Sequence, residues 1–295
     1  MAIDFKILVT GAAGMLGTDL CEVLRQAGHT VIATDVRQVD KPVDLTNRAA
    51  VRDFLLGDNR PRVVIHTAAY TDVDGCERNP ILAYQVNTDG TENVAAACAK
   101  LEIPLCLIST DFVFDGTKGE PYVESDHPNP LGHYGGSKLA AEKLVQSLCK
   151  RFWIVRTSWL FGFYGRCFPR TIIEAARVRP ELQVVSDQYG SPTYTVDLSR
   201  KLERIVSGER YGIYHVCNAG TCSWYEFAQK TLELARSAGI LNKETLLKPI
   251  PSSEWPSPTR RPVNSALRRL ALEMQGMDDL RPWPEALNDF IHRME

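Results

Sequence analysis

The sequence predicts an α/β fold, a Rossmann-type doubly wound parallel sheet with a smaller C-terminal lobe. Three observations carry this. Short apolar runs alternate with helix-length amphipathic stretches over the first two-thirds of the chain. A glycine-rich turn joins the first apolar run to the first such stretch. Beyond about residue 165 the rhythm loosens, so a division into residues 1–165 and 166–295 is expected, with some later strands returning to the first unit.

The elements follow in order. Lys6–Val9 reads as a buried strand and Met15–Ala27 as a helix stopped by Gly28. Thr30–Thr34 is a strand, Asn47–Leu56 a helix and Val63–His66 a strand. Pro80–Leu101 predicts one long helix opening near a proline. Leu105–Ser109 and Trp153–Arg156 are strands on either side of a helix over Tyr134–Cys149. In the second part Phe168–Ala176, Val196–Val206, Trp224–Ala238 and Pro284–Arg293 read as helices. Tyr211–Val216 and Leu246–Ile250 read as strands. Five prolines between Pro249 and Pro262 mark an ordered loop or extended arm.

Composition narrows the function classes. The chain of 295 residues is 44% hydrophobic and 24% charged, with a formal net charge of −2. That balance gives no electrostatic reason for nucleic acid or an anionic membrane as a main partner. The eight cysteines are scattered, without a CxxC pair, which argues for buried thiols in a reducing compartment and against zinc. The start of the chain, with Asp4 and Lys6 breaking its apolar pattern, is not that of a signal peptide. No apolar run approaches the ~20 residues that span a bilayer. A cytoplasmic protein is expected.

Gly11-Ala12-Ala13-Gly14-Met15-Leu16-Gly17 has the spacing GxxGxxG between a strand and a helix. Glycines there let the backbone approach a pyrophosphate, which the N–H groups and dipole of the helix start would hold. A structural turn accounts for the glycines alone; the strand–turn–helix context favours a dinucleotide. Asp35 closes the second strand, where a carboxylate suits the ribose 2′-hydroxyl of NAD. Arg37, two residues on, suits a 2′-phosphate. Both NADPH and NADH are therefore expected as cofactors. Asp44-Leu45 is a plausible adenine contact, with a solvated loop as the alternative for Asp44.

Tyr134 and Lys138 stand four residues apart at the start of a helix and so share one face. An ammonium beside a phenol lowers the phenol's pKa from ~10 and makes it a usable acid or base. Tyr-x-x-x-Lys is common by chance, and an ordinary surface pair explains it as well. Thr110, however, ends the fourth strand at the crevice side of the sheet, where it could bond the same carbonyl oxygen. Glycine loop, Asp35, Thr110 and the Tyr–Lys pair occupy one consistent geometry.

This layout resembles that of the extended short-chain dehydrogenase/reductases, and within them the dTDP-4-dehydrorhamnose reductase family. The resemblance covers nearly the whole chain. It rests on the glycine loop and on Ala68-Ala69-Tyr70-Thr71-Asp72-Val73-Asp74 with Glu77. Val86-Asn87, Ser109 to Gly116, Tyr134 to Lys138, Arg156 to Gly162, Asp187 to Thr193 and Arg261-Pro262 with Asn264-Ser265 extend it. It implies reduction of the C4 ketone of dTDP-4-dehydro-L-rhamnose by NADPH or NADH. Tyr134 would donate the proton, Lys138 would bind the nicotinamide ribose, and Thr110 would hold the carbonyl. Ala68, Ala69 and Tyr70 would line the cofactor cleft, while Asp111, Val73 and Trp159 would contact the sugar. Arg261, with Arg260, would suit a diphosphate; a solvated pair is the alternative. Cys167 stands where the family often has Asn, and His66 reads as a satisfied buried histidine.

Some members of the family dimerise around Mg²⁺ held by glutamates. Here the first two of those positions carry Asp19 and Val196, with Glu295 the candidate for the third, so no metal is expected, and a monomer or a metal-independent dimer is. The alternatives are a reductase or epimerase of another nucleotide 4-keto-sugar, or a non-catalytic subunit like that of methionine adenosyltransferase.

Overall fold

The structure is a computed structural model and describes residues 5–57 and 60–294. Glu295 lies outside the described residues, as does Asp4. The main strands are β1 (Lys6–Thr10), β2 (Thr30–Thr34), β3 (Val63–His66), β4 (Leu105–Thr110), β5 (Phe152–Thr157), β6 (Glu181–Val185), β7 (Gly212–His215) and β8 (Leu246–Ile250). The longer helices are α1 (Met15–Gln26), α2 (Arg48–Leu56), α3 (Gly90–Leu101), α4 (His133–Leu148), α5 (Phe168–Val178), α6 (Thr195–Val206), α7 (Trp224–Ser237) and α8 (Trp283–His292).

Among the described residues one sheet has six strands, all parallel, in the order β7-β5-β4-β3-β1-β2. Parallel strands need both faces covered. Leu16, Leu20 and Leu24 of α1 pack with Leu198 and Leu202 of α6 on one face. Val51, Val94 and Ala141 of α2, α3 and α4 cover the other with Leu105 and Ile154. The strand order reverses between β1 and β3, so a crevice opens at their carboxyl ends. A second core joins Phe161, Ile173, Tyr194, Phe227 and Phe290 through α5, α7 and α8. There β6 and β8 form a separate parallel pair. Residues beyond 165 thus serve both cores, because α6 and β7 return to the main sheet. All eight cysteines are buried and unpaired. No described helix is long and apolar enough to cross a membrane.

Three local differences from the sequence reading have physical causes. The expected helix Pro80–Leu101 is interrupted by a π turn at Gln85–Asp89. That turn carries Asn87, whose side chain accepts from Tyr70 N at 2.7 Å and donates to Tyr70 O and Ser137 Oγ. A π turn commonly marks such an inserted function. Val73–Arg78 is a short helix capped by the Asp72 side chain, too brief to show a period. β6 escapes notice because its apolar residues find their partner only in β8, sixty-odd residues on.

Candidate active site

The carboxyl ends of the strands open onto a cavity of about 610 Å³. Gly11, Gly14, Met15, Leu16 and Gly17 line one end. Gly11 has φ +69°, and a Cβ there would lie 2.5 Å from Ala68 N. A Cβ on Gly17 would lie 2.1 Å from the Gly11 carbonyl oxygen. Gly14 caps α1 without a side-chain bond, so the first-turn N–H groups remain available to an anion. This cradle, which any side chain would fill, fits a dinucleotide pyrophosphate.

Asp35 lines the same end. Its carboxylate accepts from Ala13 N at 3.1 Å and Val36 N at 2.7 Å, tying the end of β2 to the glycine loop. Asp44, Leu45, Ala68 and Ala69 also line the cavity. Asp44 accepts from Thr46 N and Oγ1, which shapes its turn. Two expected cofactor residues lie outside the cavity wall. Arg37 is exposed beyond the end of β2. Tyr70 has its backbone clamped by Asn87, and its hydroxyl lies by Gly75 rather than in the cavity.

Thr110, Asp111, Tyr134 and Lys138 meet on one wall. Thr110 Oγ1 donates to Asp111 Oδ1 at 3.0 Å, and Ser265 Oγ donates to Asp111 Oδ2 at 2.5 Å. Asp111 is buried, and burial pushes its pKa up to about 7 despite those bonds. Burial pulls the Lys138 pKa down to about 8, against the opposing field of Glu142. Burial also raises the Tyr134 pKa; a hydrogen bond with Thr110 lowers it, while Asp111 and Cys76 raise it further. The expected lowering by Lys138 is not among these influences. Desolvation dominates instead, and the phenol is held in its proton-donating form.

The far end holds Val73, Trp159 and Arg261. Trp159 has φ +47°, a strained conformation for so large a side chain. Its indole stacks on Trp224 with centroids 3.4 Å apart and planes 8° apart. Gly190 also lies against it, where a Cβ would be 2.3 Å from Trp159 Cε2. Arg261 Nη2 reaches Asp74 Oδ1 at 3.4 Å. Asp74 also accepts from Ser257 and Thr259, so one carboxylate holds the Pro-rich arm beside Val73. Arg166, Phe168 and Trp224 complete this end. Sequence reasoning did not assign them to the site. Trp224 had no local signal beyond opening a helix.

Asp19 is buried beside Thr195 and Arg293. It is 1% exposed, accepts from Thr195 Oγ1 and has Arg293 Nη1 at 3.7 Å. Among the described residues no three His, Cys, Asp or Glu side chains gather as a metal site.

The RmlD substrate binding domain family model matches residues 5–295. The spore coat polysaccharide biosynthesis protein SpsK of Bacillus subtilis is 40% identical, covering 97% of this chain and 96% of that protein. The dTDP-4-dehydrorhamnose reductase of Aggregatibacter actinomycetemcomitans is 37% identical over 96% of this chain and 97% of that one. The structure of dTDP-4-dehydrorhamnose reductase from Bacillus anthracis in complex with NADP superposes with a TM-score of 0.92 at 37% identity, covering 99% of this chain and 100% of that chain.

Proposed function

Since the chain belongs to the RmlD substrate binding domain family, we propose that it is an NAD(P)H-dependent reductase of the C4 ketone of dTDP-4-dehydro-L-rhamnose, acting in dTDP-rhamnose biosynthesis. The observation that carries this is the joining, in one cavity, of a glycine cradle with Thr110, Tyr134 and Lys138. The nicotinamide, when bound, supplies the hydride. The chain's own residues do the rest. The α1 amino terminus and Gly11, Gly14 and Gly17 hold the pyrophosphate, and Asp35, Asp44, Leu45, Ala68 and Ala69 hold the adenosine side. Lys138 hydrogen-bonds the nicotinamide ribose. Tyr134 gives its phenolic proton to the ketone oxygen, which Thr110 orients. Val73, Asp111 and Trp159 hold the sugar, and Arg261 the diphosphate. The test is oxidation of reduced nicotinamide with dTDP-4-dehydro-L-rhamnose beside other nucleotide 4-keto-sugars. Turnover of none would leave only a binding role.

Both NADPH and NADH are expected to serve. Asp35→Ala should shift the kcat/KM ratio toward NADPH, because a carboxylate on the cavity wall repels a 2′-phosphate. Wild-type use of a single cofactor would contradict this reading.

We further propose a cytoplasmic protein that is a monomer or a metal-independent dimer. Mg²⁺ needs several hard oxygen ligands, whereas Asp19 is a single buried carboxylate with one oxygen already bonded to Thr195, and Val196 offers none. Activity in EDTA should equal that in Mg²⁺, and light scattering should give one mass in both. A mass change with Mg²⁺ would overturn this.

A further inference from the structure

Behind the Tyr–Lys pair lies a buried ion pair that the proposed reaction does not use. Glu142 sits one turn beyond Lys138 on α4 and is 0% exposed; Arg156 on β5 is 2% exposed. Glu142 Oε1 accepts from Arg156 Nε at 3.0 Å and from Ser109 Oγ at 2.5 Å, and Oε2 accepts from Arg156 Nη2 at 2.8 Å. Ser109 and Arg156 are partners in the β4–β5 register, and the next pair is Thr110 with Thr157. One carboxylate therefore joins α4 to the strand that ends in Thr110 and to the strand that leads to Trp159.

A pair this buried is poorly explained as a stability device. Desolvation of two ions cancels much of their attraction, and apolar residues of equal volume often do as well or better. We propose that Glu142 is a positioning residue for the Tyr134–Lys138 pair: held by Arg156 and Ser109, it supplies the buried negative charge that keeps the Lys138 ammonium in place. This rests on the role given to Lys138 above.

The surroundings of Lys138 support the assignment. On its own helix it has Tyr134 one turn before and Glu142 one turn after. From β3 comes His66, fully buried, with Nδ1 on Thr10 and Nε2 on Thr91. Burial and the charge of Lys138 pull its pKa to about 3, so it stays neutral. The π turn presents Asn87 to Ser137, without charge. Cys76 and Glu77 lie at the amino end of α4, where Glu77 accepts from His133 N. Asp111 lies beside Tyr134 at the end of β4. Among these, Glu142 is the group whose charge opposes the desolvation of Lys138.

The experiment compares pH profiles of kcat/KM with NADPH for the wild type, Glu142→Gln and the double variant Glu142→Leu/Arg156→Leu. The double variant leaves no unpaired buried ion, so it keeps the test open if Glu142→Gln does not fold. The alkaline limb set by loss of the Lys138 proton should move down by about one pH unit in either variant. With a Lys138 pKa of about 8, activity at pH 8 should then fall about fivefold, and activity at pH 6 should remain nearly unchanged. A uniform loss at every pH, or an unmoved limb in a folded variant that still binds NADPH, would overturn the proposal. Lys138→Met separates the two readings. Wild-type activity in that variant would remove Lys138 itself. An inactive Lys138→Met beside an unmoved limb would remove only Glu142.

Discussion

Tyr134→Phe is expected to lower kcat by ~10²–10⁴ while leaving NADPH affinity within a few-fold of wild type. The variant deletes one oxygen from a ring held edge-on by Phe112 at 5.6 Å, so packing survives and only the proton source is lost. Burial keeps the phenol protonated, and transfer becomes favourable only as negative charge develops on the ketone oxygen. The hydrogen bond with Thr110 then lowers the cost of the phenolate left behind. Stopped-flow measurement of hydride transfer, with NADPH titration by fluorescence, separates the two effects. A variant that keeps most of its kcat would take Tyr134 out of the reaction and point to Asp111, the neighbouring acid whose pKa lies near 7.

Gly11→Ala is expected to weaken NADPH binding by about 100-fold or more. A φ of +69° costs an alanine about 1–3 kcal/mol. The new Cβ would also lie 2.5 Å from Ala68 N and 2.7 Å from Ala68 Cα. Those are backbone atoms on the cavity wall and cannot step aside without reshaping it. Gly28→Ala is the matched control. Its φ of +89° carries similar strain at the other end of α1, but nothing lies within 4 Å of its Cβ. It should lower the melting temperature and leave NADPH affinity unchanged. Equal affinities for the two variants in calorimetric titration would show that the glycine cradle does not hold the cofactor.

How far the sequence reveals a residue's role differs from residue to residue for a physical reason. The glycine loop, Asp35 and the Tyr134–Lys138 pair were legible because their meaning is local. A turn needs positive φ at a given offset, and a helix puts i and i+4 on one face. The lowering of the Tyr134 pKa was an inference from that spacing alone, and burial reversed it. Arg37 and Tyr70 were placed by neighbourhood in the chain. The first is exposed beyond the end of β2, and the second has its hydroxyl by Gly75.

Pattern within the chain was enough for the doubly wound α/β class, the starts of the first four strands and the family. Periods of two and 3.6 residues and glycine spacing are written within a few neighbouring positions. Which distant side chains meet in and behind the cavity depends on how whole elements pack. Trp224 stacks on Trp159, Ser265 reaches Asp111 from 154 residues away, and Arg156 finds Glu142 across α4 and β5. Such contacts leave no periodic trace, because each depends on the packing of whole elements that bring two otherwise ordinary residues together.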